Sequence, residues 1–288
     1  MKLSNLFAQK APVFSFEIFP PKRTAPIETI LDTLEQLKDL SPDFISVTYG
    51  ASGSEADSQT CRIASTIKKK YGIESVAHLT CLNQTTAEME NSLQHLADAG
   101  IENILALRGD INPDNPPKHD FEHASDLIAF IKQHGDFHVS AACYPEAHME
   151  SADVIEDIRF LKLKEEAGAS HFMSQLFFDN QQFYSFLERA KIAGIKVPIQ
   201  AGIMPVVNKK QIERMVSLCG ASLPAKFTKM MQRYEHSPEA LCDAGIAYAT
   251  DQIVDLISNG VDGIHLYTMN KPFVAQRIHH SIGSLLKA

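Results

Sequence analysis

Two carboxylates, an arginine and a histidine of this 288-residue chain stand in contexts where they could do chemistry. In the run Val13–Pro20, Phe14, Phe16 and Ile18 share one face of a strand and Ser15 and Glu17 the other, because strand side chains alternate. The aromatic face suits packing against outer helices, which turns Glu17 inward. An acid close to apolar rings is expected to hold its proton more tightly than in water, the condition for a general acid near neutral pH. Its structural alternative is a Glu paired with a buried Arg or Lys. In Ala106-Leu107-Arg108-Gly109-Asp110, the same parity puts Ala106, Arg108 and Asp110 on one side, and Gly109 lets a ligand approach the backbone. A mutual Arg108–Asp110 salt bridge is the plainer reading. His78 and Thr80 point inward on another run, where a single His is more often a hydrogen-bonding core residue than a base.

Further polar groups cluster at the ends of apolar runs. Thr48 and Tyr49 precede Gly50, and Tyr144-Pro145-Glu146-Ala147-His148 closes another run. Glu146 and His148 could pair on a metal, but the spacing offers no third ligand, so no metal is expected. Gln175 interrupts Phe172, Met173, Leu176 and Phe177; either backbone groups satisfy its amide or a heterocycle with paired donors and acceptors does. Asp157, Lys162 and Lys164 share a helix, where a lysine is usually solvated but could reach a diphosphate. Lys271, after Tyr267 and Asn270, is a surface lysine or a partner for a substrate carboxylate. Neither a phosphate-binding Gly-Lys-Ser/Thr loop, nor a serine nucleophile elbow, nor His-Glu-x-x-His occurs.

The elements that must position these groups alternate. Strand-like runs at Val13–Pro20, Phe44–Gly50, Ser75–Cys81, Asn103–Asp110, His138–Pro145, His171–Phe178, Val197–Pro205 and Gly263–Met269 are separated by helical spacings such as Ile27-Ile30-Leu31-Leu34-Leu37. Gly72, Gly100, Gly168 and Gly194 each follow a helical pattern and precede a strand. Eight strands alternating with helices predict parallel pairing in an α/β fold. Without Gly-x-Gly-x-x-Gly after any strand, a (β/α)8 TIM barrel is favoured over an open doubly wound sheet. Extra helices are expected between strands seven and eight, at Lys209–Cys219, around Ala225–Tyr234 and at Pro238–Ser258. The loop Asn112–Pro117 is too rich in Pro and Asn/Asp to continue either element, and the whole of 1–288 reads as one domain.

Composition narrows the partners. With 27 Lys+Arg against 35 Asp+Glu the net charge is −8, and no basic stripe suits nucleic acid. No apolar window could span a bilayer, and Met1–Pro12 has no secretory apolar core. Five scattered cysteines without Cys-x-x-Cys suit a reducing compartment, so a cytoplasmic protein is expected and the sequon Asn83-Gln84-Thr85 is a chance match.

Seven segments then fall into register. Ser15-Phe16-Glu17-Ile18-Phe19-Pro20-Pro21, Ser46-Val47-Thr48-Tyr49-Gly50, His78-Leu79-Thr80-Cys81, Leu107-Arg108-Gly109-Asp110, Tyr144-Pro145-Glu146, Gln175-Leu176-Phe177-Phe178-Asp179 and Leu266-Tyr267-Thr268-Met269-Asn270 together resemble the methylenetetrahydrofolate reductase family over essentially the whole chain. The resemblance implies a barrel that holds FAD without a Rossmann fold. It implies reduction of 5,10-methylenetetrahydrofolate to 5-methyltetrahydrofolate by NADH or NADPH in a ping-pong scheme feeding methionine synthesis, in a homo-oligomer. It implies Glu17 as the acid that opens the imidazolidine ring and Asp110 as the group that stabilises the cationic intermediate. Thr48, Tyr49, His78, Arg108, Gly109, Asp110, Tyr144, His148, Asp157 and Lys164 fall where FAD is contacted; Gln175, Gln211 and Lys271, with Glu17 and Asp110, fall where folate is. Departures from the family pattern are His123, Phe160, Leu163, and Met215 in place of an aromatic. The S-adenosylmethionine-sensing domain of eukaryotic relatives is not expected. Two other readings are a different flavin barrel, such as the proline dehydrogenase group, and a flavin or folate carrier without turnover.

Overall fold

Eight short strands close on themselves: β1 (Val13–Ile18), β2 (Phe44–Val47), β3 (Glu74–Thr80), β4 (Asn103–Leu107), β5 (His138–Cys143), β6 (His171–Ser174), β7 (Ile199–Ile203) and β8 (Gly263–Tyr267). Each pairs in parallel with the next, and β8 returns to β1 with Ser15 beside His265 and Glu17 beside Tyr267. The computed structural model describes the chain except residues 22–24, 50–53 and 112–115, and except the side chains of residues 54–58, 210, 211, 214 and 218. Gly50 and most of the expected Asn112–Pro117 loop therefore lie outside the described residues.

The helices are α1 (Leu3–Phe7), α2 (Glu28–Leu37), α3 (Ser54–Tyr71), α4 (Thr86–Asp98), α5 (Ala124–His134), α6 (Val154–Glu166), α7 (Asn180–Ile192), α8 (Lys209–Cys219), α9 (Ala225–Tyr234), α10 (Pro238–Ser258) and α11 (Pro272–Ile282). The expected (β/α)8 barrel with extra helices before its last strand is what forms. Among the described residues no helix is long and apolar enough to cross a membrane. Phe14, Phe16 and Ile18 join the helix faces in a core that runs around the outside of the barrel, as alternation requires.

Every strand stops short of the residue at which its run was expected to end. The polar tails instead turn outward into the loops that form the mouth. Parity therefore fails on β4: Ala106 belongs to the outer core and Leu105 to the interior, so Arg108 and Asp110 do not share an inward strand face with Ala106. They reach the mouth because the strand ends at Leu107 and the chain turns at Gly109, whose φ of +90° favours glycine.

The lower end is plugged by α1, a helix that the sequence reading left out although Leu3, Leu6 and Phe7 have helical spacing. Leu3 and Leu6 pack with Val13, Phe44, Val76, Leu105 and Met173 inside the barrel. The Leu3 N–H donates to Asn103 Oδ1 at 2.9 Å, and the N-terminal ammonium pairs with Glu74 and Glu102. At the other end α8, α9 and the start of α10 build a second apolar cluster on Leu176, Phe178 and Met204, with Phe227 stacked on Phe178.

Candidate active site

A cavity of about 590 Å³ opens at the C-terminal ends of the strands, where barrel sites form. Ten of the residues singled out from sequence line it: Glu17, Thr48, Tyr49, His78, Arg108, Gly109, Asp110, Tyr144, His148 and Gln175. Four do not. Lys164 and Asp157 stand behind the lining, Lys271 begins α11 outside it, and the side chain of Gln211 lies outside the described residues.

Glu17 is inward and 7% exposed. Its surroundings differ from expectation, because Phe14 and Phe16 face the helices and two imidazoles face the carboxylate. Oε2 lies 3.6 Å from Nε2 of His78 and 3.6 Å from Nε2 of His265. Burial pushes His78 down to about 4, with Glu17 pulling the other way, so this ring is neutral at pH 7. His265, absent from the sequence reading, is fully buried on β8. Its Nδ1 is 2.7 Å from Ser15 Oγ, which accepts from Gln200 Nε2 at 2.9 Å. The ring's Nε2 sits between Ser46 Oγ at 3.4 Å and Glu17 Oε2 at 3.6 Å. The pattern Ser15, Glu17 on one strand and His265, Tyr267 on its neighbour was a readable signal only once the β1–β8 register was known.

The β4 and β5 side of the mouth carries the cations. Arg108 does not bridge to Asp110; its guanidinium forks onto Glu150, with Nη2 to Oε1 at 2.8 Å, and Nε donates to Gly109 O. Asp110 stands exposed at the rim. Lys164 is half-buried under Tyr144, its Nζ donating to Ala142 O at 2.9 Å, and loss of solvent lowers its pKa. Asp157 takes the backbone N–H of His148 and the hydroxyl of Ser151, which fixes the loop over β5. Glu146 accepts the Ser222 N–H and His148 Nδ1 the Glu150 N–H, so both are engaged in loop bonds.

On the far side, Gln175 receives the Leu176 N–H on its Oε1 at 2.9 Å, the backbone-satisfied arrangement, which leaves its NH2 as the cavity-facing donor. Tyr267 donates to Ser174 O at 2.7 Å and crosses over Gly202, where a Cβ would meet its hydroxyl at 2.8 Å and Ser174 O at 2.2 Å. Met204 and Met215 roof this side, and Met215 offers a pliable thioether where the family pattern has a ring. Phe160 and Leu163 lie exposed on α6, with Phe160 stacked on His123. Gln84 and Asn83 line the cavity too, and the sequence reading missed them because they follow the β3 motif inside a sequon dismissed as chance.

The family profile described as methylenetetrahydrofolate reductase matches residues 2–283. A 5,10-methylenetetrahydrofolate reductase of Pectobacterium carotovorum subsp. carotovorum is 37% identical over 269 residues, covering 93% of this chain and 89% of its own. The protein of that name from Escherichia coli (strain K12) is 36% identical, with coverages of 93% and 90%. Among solved structures, an uncharacterised Clostridium thermocellum protein that binds two copies of 5-methyl-5,6,7,8-tetrahydrofolic acid superposes with a TM-score of 0.71 at 15% identity, covering 99% of both chains. That last likeness is one of fold.

Proposed function

The chain belongs to the methylenetetrahydrofolate reductase family, and from that premise we propose that it uses FAD to reduce 5,10-methylenetetrahydrofolate to 5-methyltetrahydrofolate at the expense of NADH or NADPH. The enzyme is a methylenetetrahydrofolate reductase, an oxidoreductase. The observation that carries the reading is Glu17: a buried carboxyl group between two imidazoles, at the base of an open cavity whose rim holds Asp110 and Arg108.

The residues present fit FAD. His78 Nε2 is buried without a hydrogen-bond partner among the described residues, and it lines a cavity long enough to reach from β2 to the Arg108 and Lys164 side. Thr48, Tyr49, His78 and Gly109 would hold the ring system, Tyr144, His148 and Arg108 the chain beyond it, with Asp157 and Lys164 bracing them from behind. When bound, the cofactor would supply the two-electron chemistry by which hydride passes from a reduced nicotinamide to the folate in ping-pong order.

The chain's own part is proton transfer, charge and position. As the general acid, Glu17 would give a carboxyl proton to the imidazolidine nitrogen that departs; the C–N bond breaks and the other nitrogen becomes an iminium. The Asp110 carboxylate stabilises that positive charge at the rim. Nε2 of His265 then lies 3.6 Å from the carboxylate left on Glu17. The amide NH2 of Gln175 donates to the pterin, with Gln211 and Lys271 toward the folate tail. We place the enzyme in the cytoplasm as a homo-oligomer supplying methyl groups for methionine synthesis, with 1–288 acting as one catalytic unit.

Anaerobic stopped-flow tests the whole reading. The flavin-loaded protein should bleach rapidly with NADH or NADPH, and methylenetetrahydrofolate should restore the colour. A protein that takes up no FAD, or whose bound flavin stays oxidised, refutes it.

A further inference from the structure

We propose that Gln84 determines specificity on the flavin side of the cavity, its Oε1 accepting the imide N–H of the isoalloxazine ring; this rests on the FAD reading above. Gln84 ends the turn between β3 and α4, held there by its backbone N–H on Cys81 O at 3.0 Å. The side chain lines the cavity and is 7% exposed. One end of the amide is used: Nε2 donates to the Tyr49 hydroxyl at 2.7 Å. The other is not, for Oε1 is buried and has no hydrogen-bond partner among the described residues. Buried amide oxygens are nearly always paired, so one left open beside a binding cavity calls for a donor from the ligand. The bond to Tyr49 holds the amide in place with Oε1 at its other end.

The chemistry of the donor follows from the layout of the mouth. Arg108 and Lys164 gather on the β4 to α6 side, which suits a diphosphate, so the ring system lies toward β2 and β3, where Gln84, Tyr49 and His78 meet. The ring system of oxidised flavin has a single N–H, the imide; its carbonyls and other ring nitrogens only accept. An amide oxygen at this edge can therefore read nothing on that ring except the imide proton. The role is one of recognition and leaves proton transfer to Glu17.

The test compares FAD with FAD methylated at the imide nitrogen, by titrating the flavin-free full-length protein and following flavin fluorescence. The native chain should bind FAD at least about tenfold more tightly than the methylated form, the size of one hydrogen bond to a buried group. Gln84→Met should bind FAD about tenfold more weakly and lose the preference, because both flavins then meet a thioether. Equal binding of the two flavins by the native chain overturns the proposal without touching the FAD reading, and needs no variant to fold. A preference retained in Gln84→Met overturns it as well, by assigning the discrimination to sterics elsewhere. A native chain that binds neither flavin refutes the FAD reading itself.

Discussion

The two ends of the barrel both bury unpartnered polar atoms, and what differs is whether the mouth cavity lies beside them. At the floor, Asn103 is fully spent: Oδ1 takes the Leu3 N–H while Nδ2 gives to Met1 O and Ser75 O. His171 is tied through Nδ1 to Ser140, with the Phe7 ring 4.5 Å away, and α1 seals the end with Leu3 and Leu6. At the mouth, His78 Nε2 and Gln84 Oε1 are buried beside open space, and Glu17 has imidazoles near it but no cation. The floor is closed by α1, and its own unpartnered atoms, Nε2 of His138, Nε2 of His171 and Oγ of Ser75, do not line the mouth cavity. The mouth is made of contacts that a ligand must complete. Stability and chemistry are thereby separable along one axis of the molecule, which is the division expected of this fold.

That separation can be broken most sharply at the mouth. Glu17→Gln keeps the shape of the side chain and removes its proton. The folate half-reaction should fall by about 10²–10⁴-fold, while flavin reduction by NADH or NADPH stays within a few-fold of native. Rapid-reaction traces of the two halves read this directly, and an equal loss in both would show that Glu17 only holds the site together. The floor should answer in the other currency. Leu3 is fully buried, so Leu3→Ala should lower unfolding free energy by about 2–3 kcal/mol, measured by urea denaturation, with both half-reactions unchanged at low temperature. Loss of turnover at full stability would mean that the ends are coupled after all.

How much of this was legible in the sequence depended on which physics each feature obeys. Strand and helix order followed from local periodicity, and α8, α9 and α10 appear over the expected spans because their apolar spacing and flanking residues are local signals. Strand ends were overrun, since where a strand stops is set by when its neighbours stop pairing, and the parity argument for Arg108 and Asp110 failed with it. The site residues in the motifs do gather at one mouth, yet the partners around Glu17 were hidden. His265 is 248 positions from Glu17 and Gln200 185 from Ser15, and they meet only through closure of the barrel. Glu150 displaced Asp110 as the partner of Arg108 for the same reason: loop conformation decides it, and spacing carries no record of that.

The smallest expected effect concerns pH, and it sharpens the contrast because it arises mainly at the floor. His138 is pushed down to about 4 and His171 well below its ordinary value, in both cases because burial penalises the charged ring; His78 at the mouth is likewise near 4. Each has a folded pKa below its unfolded value near 6.5, so between about pH 6.5 and 4 the unfolded chain binds more protons. The stabilisation is therefore fully present above pH 6.5 and drains as pH falls through that window, by up to about 1.4 kcal/mol per pH unit for each ring. Urea midpoints measured from pH 7.5 to 5 should fall steadily below 6.5. His138→Gln and His171→Gln, whatever they cost at pH 7.5, should each flatten that slope. Bound ligand should flatten only the share that belongs to His78, because the floor rings do not line the cavity. If ligand abolished the whole pH dependence, the titrating groups would belong to the mouth and not to the floor.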